Sequence, residues 1–149
     1  MRGLAKAAAL CSLVGWVALG AATAAWGATP KVHGDPARVS FKGIDNRGHE
    51  RGGEHFSPED LGTLVVVVSW QTLFGTHAQR VELVTPDGSV YQQFTSEVAS
   101  YDGRARVETA VRVGGTWITE YQLFGNWTVN VYLDDDTTPV ATGSFVLAH

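Results

Sequence analysis

The chain has 149 residues, with 11 Lys and Arg against 15 Asp and Glu and a formal net charge of −4 when His is neutral. This length is sufficient for one domain of ordinary size. Its acidic balance argues against nucleic acid or anionic lipid as a partner, because both require a basic surface.

The first 28 residues have the pattern of a secretory signal peptide. Arg2 and Lys6 precede an uncharged apolar run over residues 7–20, and small residues then predominate, with Ala22-Thr23-Ala24 fitting an A-x-A cleavage site. We therefore expect an exported protein, periplasmic or secreted, with no stable membrane span after processing. A retained anchor is the alternative, although the run is only marginally long enough to span and lacks a basic stop-transfer flank.

Cleavage would also remove the only cysteine, Cys11. The mature chain would then have no disulfide, no thiolate nucleophile and no cysteine-based metal site. It would carry nine basic and 15 acidic residues, because Arg2 and Lys6 leave with the signal peptide.

The rest of the chain has the patterning of an all-β domain. Residues 29–37 are predicted to be an extended lead-in, and residues 38–149 a β-sandwich. Apolar and polar residues alternate with a period of two in most segments, and no segment has a convincing helical period. The predicted strands lie at residues 38–44, 64–70, 78–85, 89–95, 105–113, 123–133 and 140–147, with a possible eighth at 116–122. This pattern predicts a two-sheet antiparallel, immunoglobulin-like sandwich of about seven to eight strands.

The connections between these strands are predicted from their polar and turn-forming residues. Residues 45–60 are expected to form a long surface loop, residues 71–77 a loop, and residues 96–103 a polar connection. Pro86-Asp87-Gly88 is expected to be a tight turn, and Asp134-Asp135-Asp136 with Pro139 to turn the C-terminal hairpin.

Three short motifs resemble bacterial immunoglobulin-like and macroglobulin-type β-sandwich domains. They are Phe56-Ser57-Pro58-Glu59-Asp60 before the valine-rich strand, Leu83-Val84-Thr85-Pro86-Asp87-Gly88 in mid-chain, and Leu123-x-Gly125-x-Trp127-x-Val129-x-Val131 near the end. The resemblance implies a fold and a broad role in adhesion or assembly, and it carries over no catalytic residue. The cysteine pair of many immunoglobulin domains and the thioester element of the complement type are absent from this sequence.

The aromatic residues divide into two groups. Trp70, Trp127, Phe41 and Phe145 lie in apolar strand patterns and are expected in the core. Four other aromatic residues are candidates for contact with a protein or carbohydrate, because Trp and Tyr beside flat sheets often serve in recognition. They are Phe74, Tyr91, Tyr101 and Trp117. The segment from Gln71 to Gly75 is the predicted binding edge, with a Phe74 folded back over the core as the competing interpretation.

A metal site is the alternative functional hypothesis. His49, Glu50, Glu54 and His55 lie within seven residues, and imidazole with carboxylate suits zinc or copper. The spacing does not match the helical H-E-x-x-H signature, and Gly52-Gly53 opposes a helix. A solvated loop explains the same residues, and a hairpin turn explains the three consecutive aspartates better than a calcium site does.

No arrangement of a catalytic nucleophile, phosphate-binding loop or cofactor motif is present in the sequence. The sequence therefore predicts a non-enzymatic exported domain that needs no cofactor and binds another envelope or secreted protein. A metal-binding accessory protein and a carbohydrate-binding module are the alternatives.

Overall fold

The computed structural model describes residues 36–149. The predicted signal peptide, Cys11 and most of the predicted lead-in lie outside the described residues. Seven strands and one short helix form the described part, and most of its residues lie in strands. They are β1 (Ala37–Asp45), β2 (Glu50–Gly52), β3 (His55–Phe56), β4 (Leu61–Val84), β5 (Val90–Arg112), α1 (Trp117–Glu120), β6 (Gly125–Leu133) and β7 (Ala141–Leu147). The predicted all-β class is confirmed.

A long bent hairpin of β4 and β5 organises the molecule. The two strands have 24 and 23 residues and pair with each other along their lengths. The first half of β4 also pairs with β1, and its second half pairs with β6. The register between β4 and β5 shifts twice between Trp70 and Gly75. Such bulges bend a strand, and here they let one hairpin contribute to two layers.

The two layers face each other across the core. The first has the order β2-β1-β4-β5 and the second β5-β4-β6-β7-β3, so the layers form one continuous sheet. Phe41 of β1 packs on Phe145 of β7 with ring centroids 5.2 Å apart. A Cβ added at Gly143 would lie 2.9 Å from the Val39 side chain, which shows how closely β7 approaches β1. The predicted immunoglobulin-like fold is confirmed, and its two layers belong to one sheet that curls at the bend.

Two predicted connections are in fact strand. Residues 71–77 lie inside β4, and residues 96–103 lie inside β5. Pairing between β4 and β5 is interrupted at Gln71, Thr72 and Phe74, where the bulges lie, and most polar side chains of the two segments are exposed. The four separate strands expected at 64–70, 78–85, 89–95 and 105–113 are therefore two long ones.

The predicted long loop at residues 45–60 is also partly wrong, because its middle closes the curled sheet. β2 pairs with β1 at one edge, and β3 pairs in parallel with β7 at the other. Only Gly53 and Glu54 separate them. The Gly53 amide donates to the Phe41 carbonyl, and the Val146 amide donates to the Glu54 carbonyl at 2.7 Å. We call residues 50–56 the closing segment, since it is hydrogen-bonded to both edges.

The valine-rich run forms the centre of the first layer, as its continuous apolar character predicts. Leu64, Val66 and Val68 belong to the core between the layers. Val65 and Val67 point to the opposite face and are still buried. Both sides of this central strand are covered, which explains the missing alternation.

The possible eighth strand at residues 116–122 does not form, because this segment contains the single-turn helix α1. The Thr116 hydroxyl caps it by accepting from the Ile118 amide. Ile118 is buried, and α1 connects the end of β5 to the start of β6. No helix within residues 36–149 is long and apolar enough to cross a membrane.

Candidate binding surfaces

The bend in the β4–β5 hairpin exposes two aromatic residues. Phe74 is 64% exposed and Tyr101 is 95% exposed. Phe74 on β4 and Tyr101 on β5 lie in the same bulge, between the Leu73–Gly103 and Gly75–Ser100 pairs. The Phe74 ring lies over Gly103, where an added Cβ would come within 2.8 Å of it. Phe74 was predicted either at a binding edge or folded over the core, and the structure places it on the surface of the bend.

Two polar residues fix the backbone beside these aromatics. The His77 imidazole contacts the Asp134 carboxylate through Nδ1 and the Phe74 carbonyl through Nε2, both at 2.8 Å. Asp134 also accepts from the Ala78 amide at 2.9 Å. The hydrogen bond to Asp134, followed by that to the Phe74 carbonyl, raises the pKa of His77. The same His77 contact lowers the pKa of Asp134. Asp134, predicted only as a turn residue, therefore anchors the hairpin bend.

Trp117 lies on α1, where it is 66% exposed. It packs edge-on against Tyr121, with ring centroids 6.0 Å apart. β4 runs from Leu61 to the bend and on to Val84, and α1 connects Arg112 of β5 with Gly125 of β6, near the two ends of β4. The bend and α1 therefore lie at opposite ends of the two layers. The structure thus does not bring Trp117 together with Phe74 and Tyr101.

Tyr91 occupies a different environment from the other three candidates. It is half-buried and packs edge-on against Trp127, with ring centroids 5.5 Å apart. Trp127 is fully buried, stacks on Phe145 and donates from Nε1 to the Leu123 carbonyl at 2.8 Å. Tyr91 thus covers the side of the core on which Trp127 lies.

The four residues of the metal hypothesis are distributed over three short segments. His49 contacts Asp45 at 3.0 Å, and Glu50 on β2 lies 3.6 Å from Lys42. Glu54 and His55 are exposed on the far side of Gly53. Among residues 36–149, no group of three or more His, Cys, Asp or Glu side chains is placed to hold a metal ion.

The outer edge of β5 is a feature that the sequence did not reveal. Along residues 36–149, β4 is the only strand that pairs with β5. The edge belongs to both layers, so its backbone donors and acceptors run along the first layer, around the bend and along the second. At Arg104 the edge is occupied from within β5, because its amide donates to the Asp102 carboxylate and its carbonyl accepts from the Ser100 hydroxyl. On either side of Arg104, the long edge is a template for the addition of another strand.

No family model matches the chain, and no curated protein matches it. Among solved structures, the chain is similar to an immunoglobulin-like protein from Pseudomonas aeruginosa. The sequence identity is 16%, the match covers 77% of this chain and 100% of that chain, and the TM-score is 0.42. The described part of the chain is an all-β, immunoglobulin-like domain.

Proposed function

We propose that this protein is an exported, non-enzymatic domain that binds another envelope or secreted protein along the outer edge of β5. The observation that carries the proposal is the pairing of β5: all 23 residues lie at the edge, with β4 as their only strand neighbour among residues 36–149. An incoming strand gains main-chain hydrogen bonds from such an edge and specificity from the side chains beside it.

The bend adds a second source of affinity. Phe74 and Tyr101 present large apolar and aromatic surface beside the edge, and their backbone is held by His77 and Asp134. Aromatic residues on a rigid support lose little conformational entropy on binding and often dominate the energy of an interface. The proposed contact therefore includes β5 and the two aromatics of the bend.

Affinity capture from an envelope extract tests the proposal. Tagged protein comprising residues 29–149 should retain a specific partner, and Phe74→Ala with Tyr101→Ala should reduce the amount retained. Trp117→Ala is the matched control, because it removes a similarly exposed aromatic at the opposite end of the layers. Hydrogen exchange should show slower exchange of the β5 amides in the complex, with β7 amides unchanged. Retention that depends on Trp117 alone, with no protection of β5, would contradict the proposal.

A further inference from the structure

The described domain is acidic, but one of its faces is basic. Residues 36–149 contain eight Lys and Arg and fourteen Asp and Glu, a formal net charge of −6. Residues that pair directly across antiparallel strands point to the same side of the sheet. Arg38 pairs with Ser69, which pairs with Arg106, and the same geometry places Lys42 and Arg112 on the outer face of the first layer.

Most of this positive charge is not neutralised within the domain. Glu108 binds Arg106 at 2.8 Å and Lys42 at 3.3 Å, and these two contacts lower the pKa of Glu108. Glu50 also lies near Lys42, at 3.6 Å. Three other arginines of this region form no salt bridge with any carboxylate in the described range. They are Arg38, Arg104 and Arg112.

The basic side chains are regularly spaced along the free edge. In the β5 segment at residues 104–112, exposed side chains alternate with half-buried or buried ones. The exposed positions are Arg104, Arg106, Glu108, Ala110 and Arg112, and the covered ones are Ala105, Val107, Thr109 and Val111. A strand added beside β5 places one residue opposite each of these positions. The outward-facing side chains of the added strand would lie beside three arginines, one alanine and Glu108, which already binds Arg106 and Lys42.

We propose that residues 104–112 of β5 bind an extended segment in which acidic residues alternate with small apolar ones. The acidic side chains meet Arg104, Arg106 and Arg112 on the outer face, and the apolar side chains extend the core beside Val107. This inference rests on the proposed function and names the chemistry of its partner. A second copy of this chain is a poorer match, because it would place one basic row beside another.

Synthetic strands test the inference directly. The probe is a fluorescein-labelled peptide of about nine residues, the length of the edge segment, alternating Glu and Val. We expect its fluorescence anisotropy to rise on titration with protein at low salt, and a Lys-Val peptide to give no rise. The triple variant R104E/R106E/R112E should weaken binding of the Glu-Val peptide by about tenfold or more and should acquire binding of the Lys-Val peptide.

Arg47→Glu is the matched control for single-site variants. It makes the same charge change as Arg106→Glu or Arg112→Glu, but Arg47 lies in the exposed turn after β1. Binding that falls equally in all three single variants would show a response to net charge only and would overturn the inference. Equal competition by polyphosphate, which cannot add a strand, would overturn it as well.

The remaining outcomes separate this inference from the proposed function. If R104E/R106E/R112E captures the envelope partner as well as the wild type does, the inference is contradicted and the proposed function still holds. A dimer in solution that Arg106→Glu dissociates would assign the edge to a second copy and overturn the inference. Failure of all capture, with Glu-Val peptide binding retained, would instead contradict the wider function.

Discussion

The Trp70 indole Nε1 donates a 2.8 Å hydrogen bond to Oε1 of Gln79, nine residues further along the same strand. Trp70 lies in the first layer and Gln79 in the second, so the bond joins the two halves of β4 from inside the bend. Both residues are buried. The Nε2 atom of Gln79 has no hydrogen-bond partner among the described residues. Removal of the indole donor would leave the whole Gln79 amide unpaired.

This relationship predicts a measurable coupling between the two residues. Trp70→Phe should lower the free energy of unfolding by about 2 kcal/mol or more, since it removes packing and leaves a buried carbonyl unsatisfied. In a Gln79→Met background, Trp70→Phe should lower the free energy of unfolding by about 1 kcal/mol less, because no buried side-chain amide is left without a hydrogen bond. Urea denaturation of the four proteins measures the difference. Equal costs in the two backgrounds would show that the hydrogen bond contributes nothing.

Trp127 should be the most sensitive core position of the second layer. It is fully buried, and its ring stacks on Phe145 at 5.9 Å. Trp127→Ala should lower the free energy of unfolding by about 3–5 kcal/mol. Trp117→Ala provides the control: Trp117 is 66% exposed, so its loss should change stability by about 0.5 kcal/mol or less. A near-zero effect of Trp127→Ala would contradict its place in the core.

The regular strands were predictable because their alternation is unbroken. Val129 and Val131 on β6 are buried as the period of two requires, and the Pro86-Asp87-Gly88 turn forms with Gly88 at φ +89°. The bend was not predictable in the same way. Each bulge adds a residue to one strand and shifts which side chains face the core. The polar and glycine residues around Phe74 therefore resemble a loop in the sequence although they lie within β4.

The candidate surfaces depend on register and strand order, which the sequence does not contain. The sequence identified Phe74 and Tyr101 separately, but only the β4–β5 register places them in the same bulge. Arg38 and Arg106 join one basic face because β4 lies between their strands. Overall composition gave an acidic chain and so concealed this local reversal of charge.

Gly43 tests the packing of the closing segment against β1. A Cβ at this position would lie 2.7 Å from Phe56 Cδ1 and 2.8 Å from Leu61 Cδ1, and both side chains are buried. Gly43→Ala should therefore lower the free energy of unfolding by about 1–3 kcal/mol through overpacking. It should also speed hydrogen exchange at the Val146 amide, which donates to Glu54 of the closing segment.

Gly52→Ala is the matched control for this substitution. Gly52 lies on β2, where the nearest atom to an added Cβ is 3.9 Å away. It should leave stability unchanged or raise it slightly, because alanine reduces the freedom of the unfolded chain. If Gly43→Ala proved as harmless as Gly52→Ala, Phe56 would not be packed beneath β1 as described.

His77 should make the bend sensitive to pH. Its two ring nitrogens face the Asp134 carboxylate and the Phe74 carbonyl, and both of these groups are acceptors. Only the protonated imidazole can donate to both at once. Because folding raises the pKa of His77, its contribution is fully present below the ordinary value of about 6.5 and is lost as pH rises through the raised value. Folding lowers the pKa of Asp134, so the contribution of this carboxylate is lost as pH falls through the lowered value.

The pair should therefore stabilise the bend most between these two pKa values. His77→Gln should reduce the melting temperature more at about pH 5 than at about pH 9, because the doubly bonded imidazolium exists only at the lower pH. Thermal unfolding of the wild type and the variant across this range gives the difference. His55→Gln, at an exposed side chain of the closing segment, controls for the loss of an imidazole elsewhere. A difference for His77→Gln that grows toward alkaline pH would show that the neutral ring is the stabilising form and would reverse the assignment of charge at the bend.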